Sequence, residues 1–245
     1  EKSPKYAEAF YNRGLAKSRI GKYKEAIQDY NKAIELEPKH ASAYCERGIA
    51  KNILTDYEGA ILDYAKSIEL DPNSAITFFN RGILFANQKY AEKALTDYNK
   101  AIELDSNFFQ AYYNRGITKN YLTDYQGSIR DYSKCISLNP KLTNAYINRG
   151  SVKITLKDFN GAILDYNKSI ELDSKVDTAY YNRGVAKFNL EAYEDAILDY
   201  DKAIALNAKY SEAYYNRGTT RTILKYFREA ILDFTKCIEL TPNDG

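Results

Sequence analysis

Residues 177–210 read DTAYYNRGVAKFNLEAYEDAILDYDKAIALNAKY, and the pair Arg183-Gly184 within them recurs at Arg13-Gly14, Arg47-Gly48, Arg81-Gly82, Arg115-Gly116, Arg149-Gly150 and Arg217-Gly218. Each pair lies 34 residues from the next, without a slip, so an internal repeat is the first property of this 245-residue chain. Counted from six residues before each arginine, the units are 7–40, 41–74, 75–108, 109–142, 143–176, 177–210 and 211–244, a single array over 7–245. Pro4 and Lys5 stand one period before Pro38 and Lys39, so residues 1–6 read as the tail of a preceding unit and the chain as a segment of a longer array.

Within a unit, apolar residues recur every fourth position in two blocks, as in Tyr180, Gly184 and Phe188, then Ala196, Tyr200 and Ile204. Each unit is therefore expected to be a pair of antiparallel helices. Asp56, Asp124 and Asp158 offer N-caps to the second helix, while Asp71-Pro72 and Asn139-Pro140 stop it. No stretch alternates with period two, and no Asn-Gly or Asp-Gly hairpin turn precedes Asp244-Gly245, so strands are not expected. A glycine inside a helix costs about 1 kcal/mol relative to alanine, which close helix approach would offset. The expected counterpart is the small residue twelve positions on: Ala26, Ala60, Ala94, Ser128, Ala162, Ala196 and Ala230.

The whole chain resembles a tetratricopeptide repeat (TPR) array, with Gly14, Ala26, Tyr30 and Pro38 in that family's spacing. The family's usual tryptophan is replaced by Phe10, Tyr44, Phe78, Tyr112, Tyr146, Tyr180 and Tyr214. The resemblance implies an all-α fold, a right-handed superhelical α-solenoid whose first helices line a concave surface. Two columns depart from the family pattern. Arginine replaces the leucine before each glycine, and Lys17, Lys51, Lys119, Lys153, Lys187 and Arg221 replace the tyrosine three residues after it, Phe85 being the exception.

Those cations have an acidic counterpart, since the second helix carries Asp29, Asp63, Asp97, Asp131, Asp165, Asp199 or Asp233 at one fixed point. An Arg–Asp pair inside each unit follows, because a partly buried guanidinium needs a carboxylate and binds one bidentately. Three residues beyond each Asp comes a lysine, from Lys32 to Lys236, read as a second partner for it. The matched aspartates argue against a basic stripe for phosphate.

Before each arginine stands Asn12, Asn80, Asn114, Asn148, Asn182 or Asn216, with Glu46 in the second unit. In the family's geometry this position projects into the groove, and the column resembles the asparagine ladder in the TPR arm of O-GlcNAc transferases. A carboxamide both donates and accepts, so such a row can hold the backbone of an extended peptide; it can equally serve neighbouring helices. Beside it lie Tyr11, Phe79, Tyr113, Tyr181 and Tyr215, interrupted by Cys45 and Ile147, and one turn on come Asn52, Asn120 and Phe188. These aromatics read as peptide contacts or as packing between first helices. The groove charges expected are Glu8, Glu46 and Glu212 against Arg19, which suits a neutral or mildly basic segment. The positions that in chaperone-tail-binding relatives carry Lys or Arg are here Tyr, Asn, Ile, Gln or Thr, which argues against an acidic tail.

With 35 Lys+Arg against 33 Asp+Glu the net charge is +2, which offers no single-signed field for nucleic acid or an anionic membrane. No apolar run is long enough to span a bilayer, and residues 1–9 do not resemble a signal peptide. Three cysteines make no disulfide framework and lean toward a reducing, cytoplasmic setting. His40, read as a solvated turn residue, is the one histidine, so neither a catalytic His set nor a His-based metal site can be assembled, and no cofactor motif occurs. Cys45 is expected in the groove, and Cys135 and Cys237 as small core residues. The reading is a non-enzymatic protein-interaction scaffold that grips an extended peptide. The alternatives are a structural array that self-associates through its ends, suggested by the absence of a polar capping helix before Gly245, and the substrate-recognition arm of a larger enzyme such as a glycosyltransferase.

Overall fold

A computed structural model describes residues 4–241, and these form fourteen helices and no strand. The first helices of the pairs are α1 (Pro4–Arg19), α3 (Ala41–Ile53), α5 (Ala75–Asn87), α7 (Phe109–Tyr121), α9 (Thr143–Thr155), α11 (Asp177–Asn189) and α13 (Ser211–Ile223). The second helices are α2 (Tyr23–Leu36), α4 (Tyr57–Leu70), α6 (Ala91–Leu104), α8 (Tyr125–Leu138), α10 (Phe159–Leu172), α12 (Tyr193–Leu206) and α14 (Phe227–Leu240). The chain divides within α7 into two compact units, residues 1–118 and 119–245. The first contains the complete pairs α1–α2, α3–α4 and α5–α6; the second contains α8 and the pairs α9–α10, α11–α12 and α13–α14. In each, helix pairs stack as an α-solenoid, with second helices such as α2 and α10 packing on the first helix that follows.

The boundaries have local causes. Asp56, Asp124 and Asp158 accept hydrogen bonds from the backbone N–H of Gly59, Gly127 and Gly161 at 3.0, 2.9 and 2.9 Å, capping α4, α8 and α10 as their sequence implies. The first helices of all seven pairs end at a residue in the left-handed region: Gly21, Thr55, Lys89, Thr123, Lys157, Glu191 and Lys225, with φ between 61° and 79°. Only Gly21 adopts that conformation without steric cost, and the β-branched Thr55 and Thr123 are the most strained there.

The core is built from alanines and rings. Tyr30, Tyr64, Tyr98, Tyr132, Tyr166 and Tyr200, one on each second helix from α2 to α12, are at most 1% exposed, and the small residues from Ala26 to Ala196 are fully buried. The helical glycines meet these rings rather than the alanine column. A Cβ on Gly14, Gly150 or Gly184 would stand 2.6–2.8 Å from a ring carbon of Tyr30, Tyr166 or Tyr200. The close approach expected of the glycine is real, but its counterpart lies sixteen residues on, because a ring is what fills the space a missing Cβ leaves.

The paired charges form as the columns suggest. Arg149 Nε and Nη2 donate to the two carboxylate oxygens of Asp165 at 3.0 and 2.5 Å, and Lys153 Nζ lies 2.8 Å from the same carboxylate. Arg13, Arg47, Arg81, Arg183 and Arg217 repeat the bidentate bond to Asp29, Asp63, Asp97, Asp199 and Asp233. Each guanidinium also lies over the aromatic ring three residues earlier, as Arg149 does over Tyr146 at 5.8 Å. The lysines three residues beyond each aspartate do something else. Lys32, Lys66, Lys100, Lys168 and Lys236 pair with the glutamates three further along their own exposed helix face. The aspartate's second cation comes instead from the first helix, where Lys17, Lys51, Lys119, Lys153, Lys187 or Arg221 faces it.

The same arginines reach backwards. Nη1 of Arg47, Arg115 and Arg183 donates to the side-chain oxygen of Asn31, Asn99 and Asn167 on the preceding second helix at 2.6–2.7 Å, and that of Arg149 to Ser133 at 2.9 Å. Arg217 bonds Asp201 in the same way. At the joint of α4 and α5, Ala65 offers no acceptor, and the hydroxyls of Ser67 and Thr77 meet at 3.3 Å instead.

Asp165 is 3% exposed, so Asp165→Ala should cost about 3 kcal/mol in urea unfolding, the low end for a broken buried pair because Arg149 and Lys153 keep some contact with water. A change of about 0–1 kcal/mol would mean a solvated pair. Thr123→Gly should move the other way, raising stability by about 1 kcal/mol through relief of the left-handed conformation, measured by the same unfolding curves.

Candidate functional site

The columns expected to bind a peptide sit on the first helices, whose opposite face is fixed by the buried alanines and the Arg–Asp pairs. Among the carboxamides, the structure engages the N–H side and leaves the carbonyl side open. Asn12 donates to Glu8 Oε1 at 3.1 Å, Asn114 to the backbone oxygen of Gln110 at 2.9 Å, and Asn216 to the hydroxyl of Tyr181 on the neighbouring first helix at 2.9 Å. Asn80 makes a long contact of 4.0 Å to Cys45 Sγ, and Asn182 makes no hydrogen bond among the described residues. No carbonyl oxygen of these five side chains accepts a bond there, so each retains an acceptor, and all are exposed or half-buried. Asn148 is half-buried in the same column, Asn52 half-buried and Asn120 exposed.

The aromatic column is more deeply packed. Phe79 is 8% exposed and belongs to the core, its ring 6.0 Å from that of Tyr98 and 4.7 Å from Phe108. Tyr11 stacks between Tyr30 and His40 at 6.2 and 4.7 Å, and Tyr181 between Tyr200 and Tyr210 at 6.0 and 4.8 Å. Tyr113 is half-buried, and Tyr215 is open, 54% exposed over the edge of Phe234. These rings occupy the gap between their own second helix and the end of the unit, where a large flat side chain fills space that alanine leaves.

In the second compact unit two depressions meet at Asn216. One, of about 290 Å³, is lined by Tyr181, Glu212, Tyr215, Asn216 and Cys237; the other, of about 230 Å³, by Val185, Phe188, Asn189, Tyr200, Asn216 and Thr219. The first therefore gathers three of the expected residues, Tyr181, Tyr215 and Asn216, and the second adds Phe188. Asn189 and Thr219 were not singled out by sequence; the signal for them was their helical spacing from Asn182 and Asn216. In the first compact unit a smaller hollow of about 130 Å³ is bordered by Tyr11, Ser42, Cys45, Glu46, Asp71 and Thr77. Burial pushes the Glu46 carboxyl up, with Arg19 opposing, and no hydrogen bond or ion pair holds it among the described residues.

Three single-residue expectations are corrected. His40 is not a solvated turn residue: only 12% of its side chain is exposed, its ring stacks on Tyr11, and Nε2 lies 3.4 Å from Glu8. Cys45 does not face an open groove but is 5% exposed in the core, and burial pushes its thiol up to about 11. Cys135 is buried in the same way, at about 11, while Cys237 is half-exposed on α14 rather than in the core. Among the described residues no cluster of His, Cys, Asp and Glu has metal-binding geometry, and no helix is long and apolar enough to cross a membrane.

Models of the family described as tetratricopeptide repeat match residues 7–40, 41–74, 109–142, 143–176, 178–210 and 211–244, and a further one, described as TPR repeat, matches 83–119. The chain belongs to the tetratricopeptide repeat family. No curated protein matches its sequence. Among solved structures, the C-terminal part of a TPR repeat-containing protein from Cytophaga hutchinsonii superposes with a TM-score of 0.79 at 18% identity, covering 99% of this chain and 96% of that one. The MamA protein gives 0.65 at 26% identity, covering 70% and 94%. YrrB, described as a TPR protein with an unusual peptide-binding site, gives 0.64 at 23%, covering 74% and 93%. As a TPR array of stacked helix pairs, this protein is a protein–protein interaction scaffold.

The thiols give a check on the corrected cysteines. In the native protein an alkylating reagent at neutral pH should label Cys237 and leave Cys45 and Cys135, all three reacting after denaturation, as read by mass spectrometry. Rapid native labelling of Cys45 would place it on an open surface.

Proposed function

We propose that the first-helix face carrying the carboxamide column binds an extended, neutral or mildly basic peptide segment. The observation that carries this is the set of side-chain carbonyl oxygens that accept no bond among the described residues, on Asn12, Asn80 and Asn114 in the first compact unit and on Asn182 and Asn216 in the second, with the N–H groups of Asn12, Asn114 and Asn216 already engaged. An acceptor row with its donors fixed in place receives the backbone N–H groups of an extended chain whatever that chain's side chains, at little cost in side-chain entropy. In the second compact unit the depressions at Asn216 supply the anchor, with Tyr215, Tyr181 and Phe188 offering ring surface to an apolar side chain. The unpaired Glu46, with Glu212 at the edge of the larger depression, favours a ligand without an acidic character.

A peptide selected on this protein from a random displayed library provides the probe. Its affinity, read by fluorescence polarisation, should fall roughly tenfold or more when Asn148, Asn182 and Asn216, all in the second compact unit, are replaced by Ala, since each lost hydrogen bond is worth about 0.5–1.5 kcal/mol. Cooperative unfolding should be retained, and affinity should change little with added salt because no dense charge is engaged. Undiminished binding by the triple variant removes the carboxamides from the mechanism; a steep salt dependence replaces them with charge-driven capture.

A further inference from the structure

Two columns of the repeat change together in the unit 41–74. In three other units the fifth and last residues form a ring pair: Tyr11 with His40, Phe79 with Phe108 and Tyr181 with Tyr210, their centroids 4.7–4.8 Å apart. In the unit 41–74 those positions hold Cys45 and Ser74, and the hollow of about 130 Å³ lies where the rings are missing. The sixth residue of the same unit is Glu46, a carboxylate between Asn12 and Asn80 of the neighbouring units. Both departures border the same hollow, so this unit differs from its neighbours there in shape and in charge.

The lining of the hollow accepts hydrogen bonds and carries only negative charge. Its buried part is hydroxylic: Thr77 Oγ1, almost without contact to water, lies 2.8 Å from Ser74 Oγ and 3.3 Å from Ser67 Oγ. Asp71 borders it from the end of α4, one carboxylate oxygen accepting from the backbone N–H of Asn73 at 3.1 Å. Glu46 is half-buried, with no hydrogen bond or ion pair among the described residues; burial pushes its carboxyl up, and the exposed Arg19 opposes this without touching it. No lysine, arginine or histidine borders the hollow. A carboxylate drawn partly out of water with nothing to balance it lowers the stability of the fold, so the chain carries here a charge that its own structure leaves without a partner.

We propose that this hollow seats the cationic end of a lysine or arginine side chain of the bound segment, with Glu46 as the carboxylate that pairs with it. The inference rests on the reading of the first-helix face as a peptide site and adds to it a residue type at one position. Tyr11 and Ile76 at the border offer apolar surface to the alkyl stem, the ammonium or guanidinium meets Glu46, and its remaining N–H groups find hydroxyl acceptors. An acidic side chain would oppose two carboxylates there, and an aliphatic one would cover Glu46 without pairing it. The amides of the column hold backbone, and the acid among them selects a side chain.

Random peptides displayed and selected on the unaltered protein supply the probes, and their affinities for it and for three variants are read by fluorescence polarisation. The enriched peptides should share a lysine or arginine at one fixed place. Replacing that residue by norleucine should weaken binding to the unaltered protein roughly tenfold or more, as for the loss of one partner of a partly buried charge pair. The Glu46→Gln variant should bind the two peptides alike within about twofold, while its urea midpoint does not fall, because a neutral amide is easier to bury than a lone carboxylate. Cys45→Phe/Ser74→Phe, which restores the ring pair of Phe79 and Phe108, should abolish the preference in the same way. The proposal is overturned if no basic residue is shared, or if norleucine costs as much with Glu46→Gln as without it. If binding in either case still falls with the third variant, Asn12→Ala/Asn80→Ala, the carboxamide site stands and only the hollow's role is lost. Coupling to Glu46 with binding untouched by Asn12→Ala/Asn80→Ala upholds the hollow and removes those carboxamides, and a protein that retains no peptide removes both.

Discussion

A buried carboxylate held between two cations is the interaction on which the helix pairs depend. Asp165 or its equivalent, almost without contact to water, is expensive to bury as a charge, and a bidentate arginine with a lysine or arginine one turn further on meets its oxygens. Once the carboxylate is fixed, so are the rotations of both helices about their axes. The glycine next to the arginine then faces the tyrosine next to the aspartate, ring against missing Cβ, and the alanines are left to face the neighbouring pair. Where the lysine is absent, at Phe85, an aromatic ring lies 5.8 Å from Arg81 and takes up part of the cation's surroundings.

That geometry also positions the candidate binding face. With the arginine directed inward, the asparagine before it is turned toward the side of the helix that no second helix covers, and its neighbour on the other side, Tyr11 or Tyr181, is turned partly back into the unit. The outcome is a row in which amides are accessible and rings are mostly structural, Tyr215 being open. On the proposed reading such a row selects for a backbone rather than for particular side chains, within the protein-interaction role that membership of the tetratricopeptide repeat family supports.

Most of the architecture was legible because it is written in repeated columns. Period, helix pairing, caps at Asp56, Asp124 and Asp158, and the Arg–Asp pair each rest on one residue type at one spacing, and local rules suffice to read them. What could not be read were choices between partners of similar distance in sequence. Lys32 stands three residues from both Asp29 and Glu35, and only the depth of Asp29 beneath the first helix decides for Glu35. The glycine's partner was assigned to a small residue when a ring was the better fit. Phe79 and Cys45 share a column with the exposed Tyr215, so burial within that column reflects what stacks against each residue rather than its own identity. Nor does any sequence signal mark the left-handed residue, since Thr, Lys and Glu occupy it as well as Gly21.

The backward reach of Arg47, Arg115, Arg149, Arg183 and Arg217 has a consequence for how such a chain can change in length. Since one side chain clasps its own aspartate and the preceding helix together, most joints present the same chemistry on both sides. Excising any whole multiple of 34 residues rejoins surfaces already made for one another, while a cut of any other size strands a guanidinium from its acid. Duplication and loss by complete modules are thereby the permitted edits, and the array's reach can be lengthened or shortened without redesign of its interior.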